Sequence, residues 1–418
     1  MTPKNNVLIV VGGGASGMMA AITAARLGAE VCLLERNPKV GRKLYITGKG
    51  RCNVTNHCSP EEVLAAVPHN GRFLHSAMSR TTPADVEQFF RSLGVALKVE
   101  RGNRVFPVSD QSADIIDALF MELRRLRVPI IQTRASGLIC QNGSVVGVET
   151  DQGAMPCRAV ILATGGLSYP ATGSTGDGHR MAEELGHTIV EPRPSLVPLE
   201  SHDAFCGQMQ GLALKNVVLT VKDQKGKIIY QDQGELLFTH FGLSGPLVLS
   251  ASAHMREFGT DRYTCSIDLK PALDESTLDA RLVRELSANA NKDVGNLMDT
   301  LVPRLMGPVL LSLADIPHEK KAHDVTKAER RRLLELLKGF PVAVSGPRPI
   351  AEAIVTSGGV KVGEVDPKTF ASKQVAGLFF AGELLDIDAY TGGFNLQIAW
   401  ATGCAAGQGG AGYVRSAE

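Results

Sequence analysis

The chain has 418 residues, 44% of them apolar and 21% charged, which is the make-up of a folded protein of two or three domains and excludes a disordered chain or a disulfide-stapled miniprotein. Lys and Arg number 44 against 43 Asp and Glu, so no global field draws the protein to nucleic acid or to an anionic membrane. The eight cysteines are scattered without a CxxC pair or metal-like clustering, which favours a reduced, cytoplasmic setting and no metal site. Met1 to Asn6 is short and polar, and the apolar run after it is too short for a signal-peptide core or a membrane span.

Val7 to Val11 is a continuous apolar run that predicts a buried strand, and Gly12-Gly-Gly14-Ala-Ser-Gly17 follows without a gap. Met18 to Leu27, rich in Ala and Met, predicts a helix. Val31 to Leu34 predicts a second strand, ending in Glu35. A GxGxxG between strand and helix, with an acid closing the next strand, is the dinucleotide fingerprint in its proper context. Gly12 suits the tight turn, Gly14 the close approach of a pyrophosphate, and Gly17 the packing of helix on sheet. Glu35 suits a ribose hydroxyl, which favours FAD or NAD over a 2'-phosphorylated cofactor.

Arg36 to Arg51 carries six basic residues (Arg36, Lys39, Arg42, Lys43, Lys49 and Arg51) and no acid, with Gly41, Gly48 and Gly50 threaded among them. The spacing predicts a loop closed round an anion and continuing to Asn53, the alternative being a solvated charged face. Cys52 lies in this loop without a partner for dithiol chemistry.

Ile130 to Thr133 and Gly137 to Thr150 predict short strands with a turn at Asn142-Gly143, and Arg158 to Thr164 a strand running into Gly165-Gly166. A helix is expected over Arg180 to Leu185. Beyond Pro192 and Pro194 the pattern changes to hairpins, with Val217 to Val221 and Ile228 to Tyr230 alternating round Lys225-Gly226. Leu278, Leu282, Leu286, Leu297, Leu301 and Leu305 give helical spacing over Asp274 to Ser312, and Val325 to Leu337 predicts another helix. Its Arg330-Arg-Arg332 lies among acids and suits a solvated face better than an RNA patch.

The last part returns to the opening pattern. Gly377 to Glu383 predicts a strand ending in small residues, and Gly392-Gly393 leads into a small-residue helix whose amino end offers N–H donors to a ring-sized ligand. Gly407-Gln-Gly409-Gly-Ala-Gly412 repeats GxGxxG but follows a helix, so it is a chance match and no second, nicotinamide-binding fingerprint is present.

Gly12 to Gly17, Gly41-Arg-Lys43, Thr47-Gly-Lys-Gly-Arg-Cys-Asn53, Ala163-Thr-Gly-Gly166, Phe238 to Pro246, Thr356 to Val360, Ala381-Gly-Glu383 and Gly393-Phe-Asn-Leu-Gln397 together resemble the BaiN-like (YhiN-type) flavoprotein family over nearly the whole chain. The resemblance implies an α/β fold: a doubly wound Rossmann-type, discontinuous FAD-binding domain with inserted β-barrel-like and helical subdomains. On this reading residues 1–190 and 350–418 bind FAD, 191–270 and 313–349 form the β-rich insert, and 271–312 form the helical subdomain. It implies noncovalent FAD in a bacterial NAD(P)/FAD-dependent oxidoreductase, one branch of the family being linked to reduction of conjugated double bonds in oxidised bile acids. FAD contacts carry over to Ser16, Glu35, Arg42, Lys43, Arg51, Gly165, Gly382, Glu383, Phe394, Asn395 and Leu396, beside Gly12, Gly14, Gly17, Arg36, Gly48, Asn53 and Gly393 from the loops above.

For the protein's own share of the chemistry, His240 in the loop before Pro246 is a candidate acid or base, and Tyr390 a candidate proton donor. A packing or surface role is the alternative for each. The expected function is hydride transfer between NAD(P)H and a small organic or steroid-like substrate through FAD. The alternatives are a flavin-dependent RNA-modifying protein and a flavin-binding regulatory protein with little turnover.

Overall fold

Strand β1, Leu8–Val11, is buried along its whole length, as its unbroken apolar sequence requires of a strand covered on both faces. The computed structural model describes residues 6–255, 258 and 263–416. The chain forms two compact units, the first made of Met1–Ser195 and Pro349–Glu418 and the second of Leu196–Arg348.

In the first unit, β1 pairs in parallel with β2 (Val31–Glu35), which pairs with Ile130–Gln132 on its outer side. On the other side of β1 lies Ala159–Leu162, followed by Leu378–Phe380. These five parallel strands form the doubly wound sheet. The connection between β2 and Ile130–Gln132 contains a small antiparallel sheet of Thr55–Asn56, Leu97–Glu100 and Arg104–Pro107. A three-stranded meander, Ala135–Gln141, Ser144–Thr150 and Gly153–Pro156, precedes Ala159–Leu162. Two neighbouring helices pack on the sheet beside β1. The first helix, Ala15–Arg26, packs against the C-terminal helix, Phe394–Arg415. A Cβ on Gly403 would overlap the Ser16 carbonyl, and one on Gly407 would stand 2.5 Å from the Ala20 carbonyl oxygen. The glycines of the second GxGxxG are thus interior to a helix, and Gly407, with Gly403 one turn earlier, lets two helix backbones approach closely.

The last element of the first unit before residue 196 is Ile189–Ser195, and it pairs antiparallel with Val355–Val360, bringing Ser195 opposite Val355. The whole second unit is inserted between these two partners. It contains a closed six-stranded barrel, ordered Leu199–Ser201, Gly242–Ser244, Ile228–Thr239, Ala213–Lys222, Thr264–Asp268 and Phe340–Pro347. The strands expected over 217–221 and 228–230 are ten and twelve residues long. The segment expected to be a loop round His240 is in part the strand Gly242–Ser244, whose register Gly242 sets through a φ of +149° that places it against the Leu199 carbonyl.

The expected helical stretch of this unit is broken into Glu275–Ala288, Val294–Met298 and Gly307–Leu313. Leu278, Leu282, Leu297 and Leu301 are buried as the spacing requires, whereas Leu305 falls between helices and is 49% exposed. Lys327–Lys338 is capped by a reciprocal pair, Thr326 with Glu329. Arg330 pairs with Asp279, and Arg331 with Glu275 and Glu335, so this arginine run is neutralised helix surface.

Candidate functional site

The carboxyl ends of the parallel strands carry the glycine-rich loops, which is where doubly wound sheets bind ligands. Gly12 has φ +109° and lies against the Ala163 carbonyl, so it makes the turn that no L side chain would tolerate. A Cβ on Gly17 would overlap the Gly12 carbonyl. By contrast, nothing lies within 4 Å of a Cβ built on Gly14. The first helix begins there without a side-chain cap, so its leading N–H groups and positive dipole end face open space. Ser16, 7% exposed, is in this first turn and lies against Gly382.

Glu35 is 8% exposed. Its Oε2 accepts from the Gly13 N–H at 2.8 Å, and its Oε1 from the backbone and side-chain nitrogens of Asn37, both at 2.7 Å. A carboxylate offers about four lone-pair directions, so Oε2 retains one that could accept from a hydroxyl while the same group holds the glycine loop in place.

The basic run does not act as one patch. Arg36 donates to Thr175 and Asp177, and Asn37 to the Thr172 carbonyl, which ties the end of β2 to the loop beyond Gly165 and Gly166. Arg42 reaches Asn37 at 3.0 Å and is exposed. Arg51 pairs with Glu100 and Asp110 and stacks over Phe106 at 4.1 Å. Its guanidinium is therefore held by two protein acids. Gly48, with φ +56°, packs against the Asn53 backbone and Phe106 within its own loop.

Lys43 closes the site. Its Nζ donates to Glu383 at 2.5 Å and to Ser168 Oγ at 2.6 Å, while Ser168 Oγ donates to the other Glu383 oxygen at 2.9 Å. The Thr356 N–H also donates to Glu383, and Thr356 Oγ1 accepts from the backbone of Leu167 and Ser168. Segments following three parallel strands are thereby clasped together. Ser168 and Thr356 were not singled out as site residues in the sequence, although both sit in or beside the motifs that carry the family resemblance.

The C-terminal helix opens at Gly393, which has φ +100° and no side-chain cap. Asn395 accepts from the Ala389 N–H and donates to the Ala389 and Tyr390 carbonyls. Its side chain thus braces the turn, leaving backbone N–H groups of Phe394, Asn395 and Leu396 at an uncapped helix end. Tyr390 is half-buried in that turn and its N–H donates to the Ala66 carbonyl. His240 belongs to the second unit, exposed on the turn after Ile228–Thr239 with its ring edge-on to Phe241. Cys52 is buried completely, which pushes its thiol up to about 12 and keeps it protonated.

Two uncapped helix amino ends, a glycine with open space beside it, and a partly satisfied ribose-type acid fit a dinucleotide carrying a polar-edged ring. The fold is of the Rossmann-type FAD-binding class, and its family and full-length relatives make the chain a flavin-dependent oxidoreductase. The chain belongs to the HI0933-like family, whose HI0933-like protein Rossmann domain matches residues 6–409. It is 32% identical over 412 residues to the 3-dehydro-bile acid delta(4,6)-reductase of Clostridium scindens, covering 96% of this chain and 98% of that one. It is 31% identical over 412 residues to the ribosomal RNA dihydrouridine synthase of Escherichia coli, covering 96% of each. Among solved structures, the 3-ketosteroid delta1-dehydrogenase of Sterolibacterium denitrificans superimposes with a TM-score of 0.52 at 14% identity, over 99% of this chain and all of that one, and so shares the fold. No helix among the described residues is long and apolar enough to cross a membrane.

Proposed function

We propose that the protein reduces a carbon–carbon double bond conjugated to a carbonyl, passing electrons from NAD(P)H through noncovalent FAD to a small organic, steroid-like substrate. One observation carries this reading. Two relatives of nearly equal identity over the full length bear names that describe the same bond chemistry: saturation of unsaturation conjugated to a 3-oxo group in one, and of the uracil double bond beside its carbonyl in the other.

Bound FAD supplies the hydride. The chain's residues do the rest. The uncapped N–H groups of Phe394 to Leu396 supply donors and a positive dipole end where negative charge gathers on the ring's carbonyl edge. Glu35 and the first helix anchor the adenosine and pyrophosphate portions. The Lys43–Glu383–Ser168 clasp fixes the loops between these two ends. Reduction of such a bond also needs a proton at the carbon next to the carbonyl, for which Tyr390 in the flavin turn is the candidate donor.

A second reading, uridine reduction within RNA, is favoured by the relatives named ribosomal RNA dihydrouridine synthase. The pairing of Arg36, Arg51, Arg330 and Arg331 with acids weighs against it, since these charges are not available to phosphates.

Anaerobic mixing of the yellow holoprotein with NADH and with NADPH, followed near 450 nm, tests the donor. Rapid bleaching by one of them is expected, with recovery of colour on adding a 3-oxo-4-ene steroid. Recovery only with unmodified ribosomal RNA would establish the second reading. Failure of both nicotinamides to bleach the flavin would refute the NAD(P)H-linked reductase and favour a binding or regulatory role.

A further inference from the structure

Residues 53–56 run beside the turn and first turns of the C-terminal helix, and three of the four are tied to it. Asn56 Nδ2 donates to the Gly392 carbonyl at 3.0 Å. Thr55 Oγ1 donates to Gln397 Oε1 at 2.7 Å, and the Val54 carbonyl accepts from Trp400 Nε1 at 2.9 Å. Asn53 is the fourth member of the series. Its Oδ1 is buried yet accepts no hydrogen bond from any described residue.

The position of that oxygen is specific. A Cβ on Gly393 would stand 3.0 Å from it, so it lies at the amino end of the C-terminal helix, where the N–H groups are uncapped. A buried acceptor left without a donor is destabilising, so each one in a native fold calls for an explanation, and a bound ligand is one that supplies the missing donor. Acceptor and donors side by side complement a ligand edge that alternates N–H and C=O groups. The pyrimidine edge of a flavin has that alternation, its N3–H lying between two carbonyl oxygens.

We propose that Asn53 Oδ1 is the acceptor for the flavin N3–H and that it sets which edge of the ring meets the C-terminal helix. This rests on the reading of the first unit as an FAD site. It makes Asn53 a positioning residue that recognises the ring itself, whereas the glycine loop and Glu35 recognise the dinucleotide's other half. The left-handed backbone of Lys49 and Cys52, φ +60° and +59°, is what turns the preceding loop so that Asn53 reaches this place.

The test is a competition on the holoprotein between FAD and 3-methyl-FAD, in which a methyl group replaces the N3 hydrogen. After equilibration the bound flavins are released and their ratio is read by chromatography. The wild-type protein is expected to prefer FAD by about tenfold or more. Asn53→Ala, which removes the acceptor and leaves room for the methyl group, is expected to bring the preference close to one, and Asn53→Asp to keep it. If Asn53→Ala does not fold, Asn53→Ser, whose shorter side chain withdraws the oxygen, carries the same expectation. A wild-type protein that holds both flavins equally, or an Ala or Ser variant that discriminates as the wild type does, overturns the proposal. A wild-type protein that holds neither flavin refutes the FAD site itself, a result distinct from a lost preference.

Discussion

The chain writes GxGxxG twice, at Gly12 to Gly17 and at Gly407 to Gly412, and the two copies end in opposite physical situations. The first follows a strand and opens a helix, so its middle glycine faces open space. The second lies inside the C-terminal helix, where Gly407 and Gly409 press against the carbonyls of Ala20 and Thr369. One pattern makes room for a ligand and the other for a neighbouring backbone. The pattern itself is therefore not the signal; what precedes it and what its missing side chains would strike decide the role.

Substitutions that exchange these roles break the comparison. The largest effect is expected for Gly17→Val, which drives a side chain into the Gly12 carbonyl and deforms the loop and the helix start together. It should cost about 3 kcal/mol in urea unfolding and yield colourless protein. Gly407→Val should cost about 2 kcal/mol by forcing the two helices apart, while the folded fraction keeps its flavin, read from the 450 nm absorbance per folded protein. Gly14→Ala should change stability by less than about 0.5 kcal/mol, since its methyl meets no protein atom, but weaken FAD binding by about tenfold where that space admits the pyrophosphate.

The smallest effect concerns the far end of the first helix, where Arg26 pairs with Glu122, which Arg125 also holds. The Arg125 and Arg26 hydrogen bonds keep the Glu122 carboxyl down at about 2 against an ordinary 4.5. Its contribution is thus complete above pH 4.5 and is lost as the pH falls from there toward 2. Glu122→Gln should lower stability by about 1 kcal/mol at pH 7 and flatten the acid limb of the unfolding midpoint plotted against pH.

The sheet's inner strands and the first glycine loop were legible because their signals are local: an unbroken apolar run, then glycines at fixed spacing. The small sheet containing Thr55–Asn56 left no such trace, since a two-residue strand has no periodicity and is specified by its partner Arg104–Pro107. The basic run from Arg36 to Arg51 looked uniform for a related reason. The acids that pair with it, Glu100, Asp110 and Asp177, come from distant parts of the chain, and only folding shows that Arg51 is paired with two of them while Arg42 is exposed. Asn53 is expected at the cofactor from its motif, but that its oxygen lies bare beside Gly393 is visible only in the fold. The Gly242–Ser244 strand was hidden by Gly242 and by Gly245 just beyond it, which read as a loop.

The pairing of the first helix with the last sets a schedule for biosynthesis. A ribosome adds about 5–20 residues per second, so tens of seconds separate the emergence of Ala15–Arg26 from that of the helix that covers it. The second unit is continuous in sequence and can close while the first unit still waits for its edge strand Leu378–Phe380 and its final helix. The half-sheet that emerges earliest must therefore be kept soluble the longest, and the buried face of the first helix, with Met18, Met19 and Ile22, is the surface a chaperone would meet.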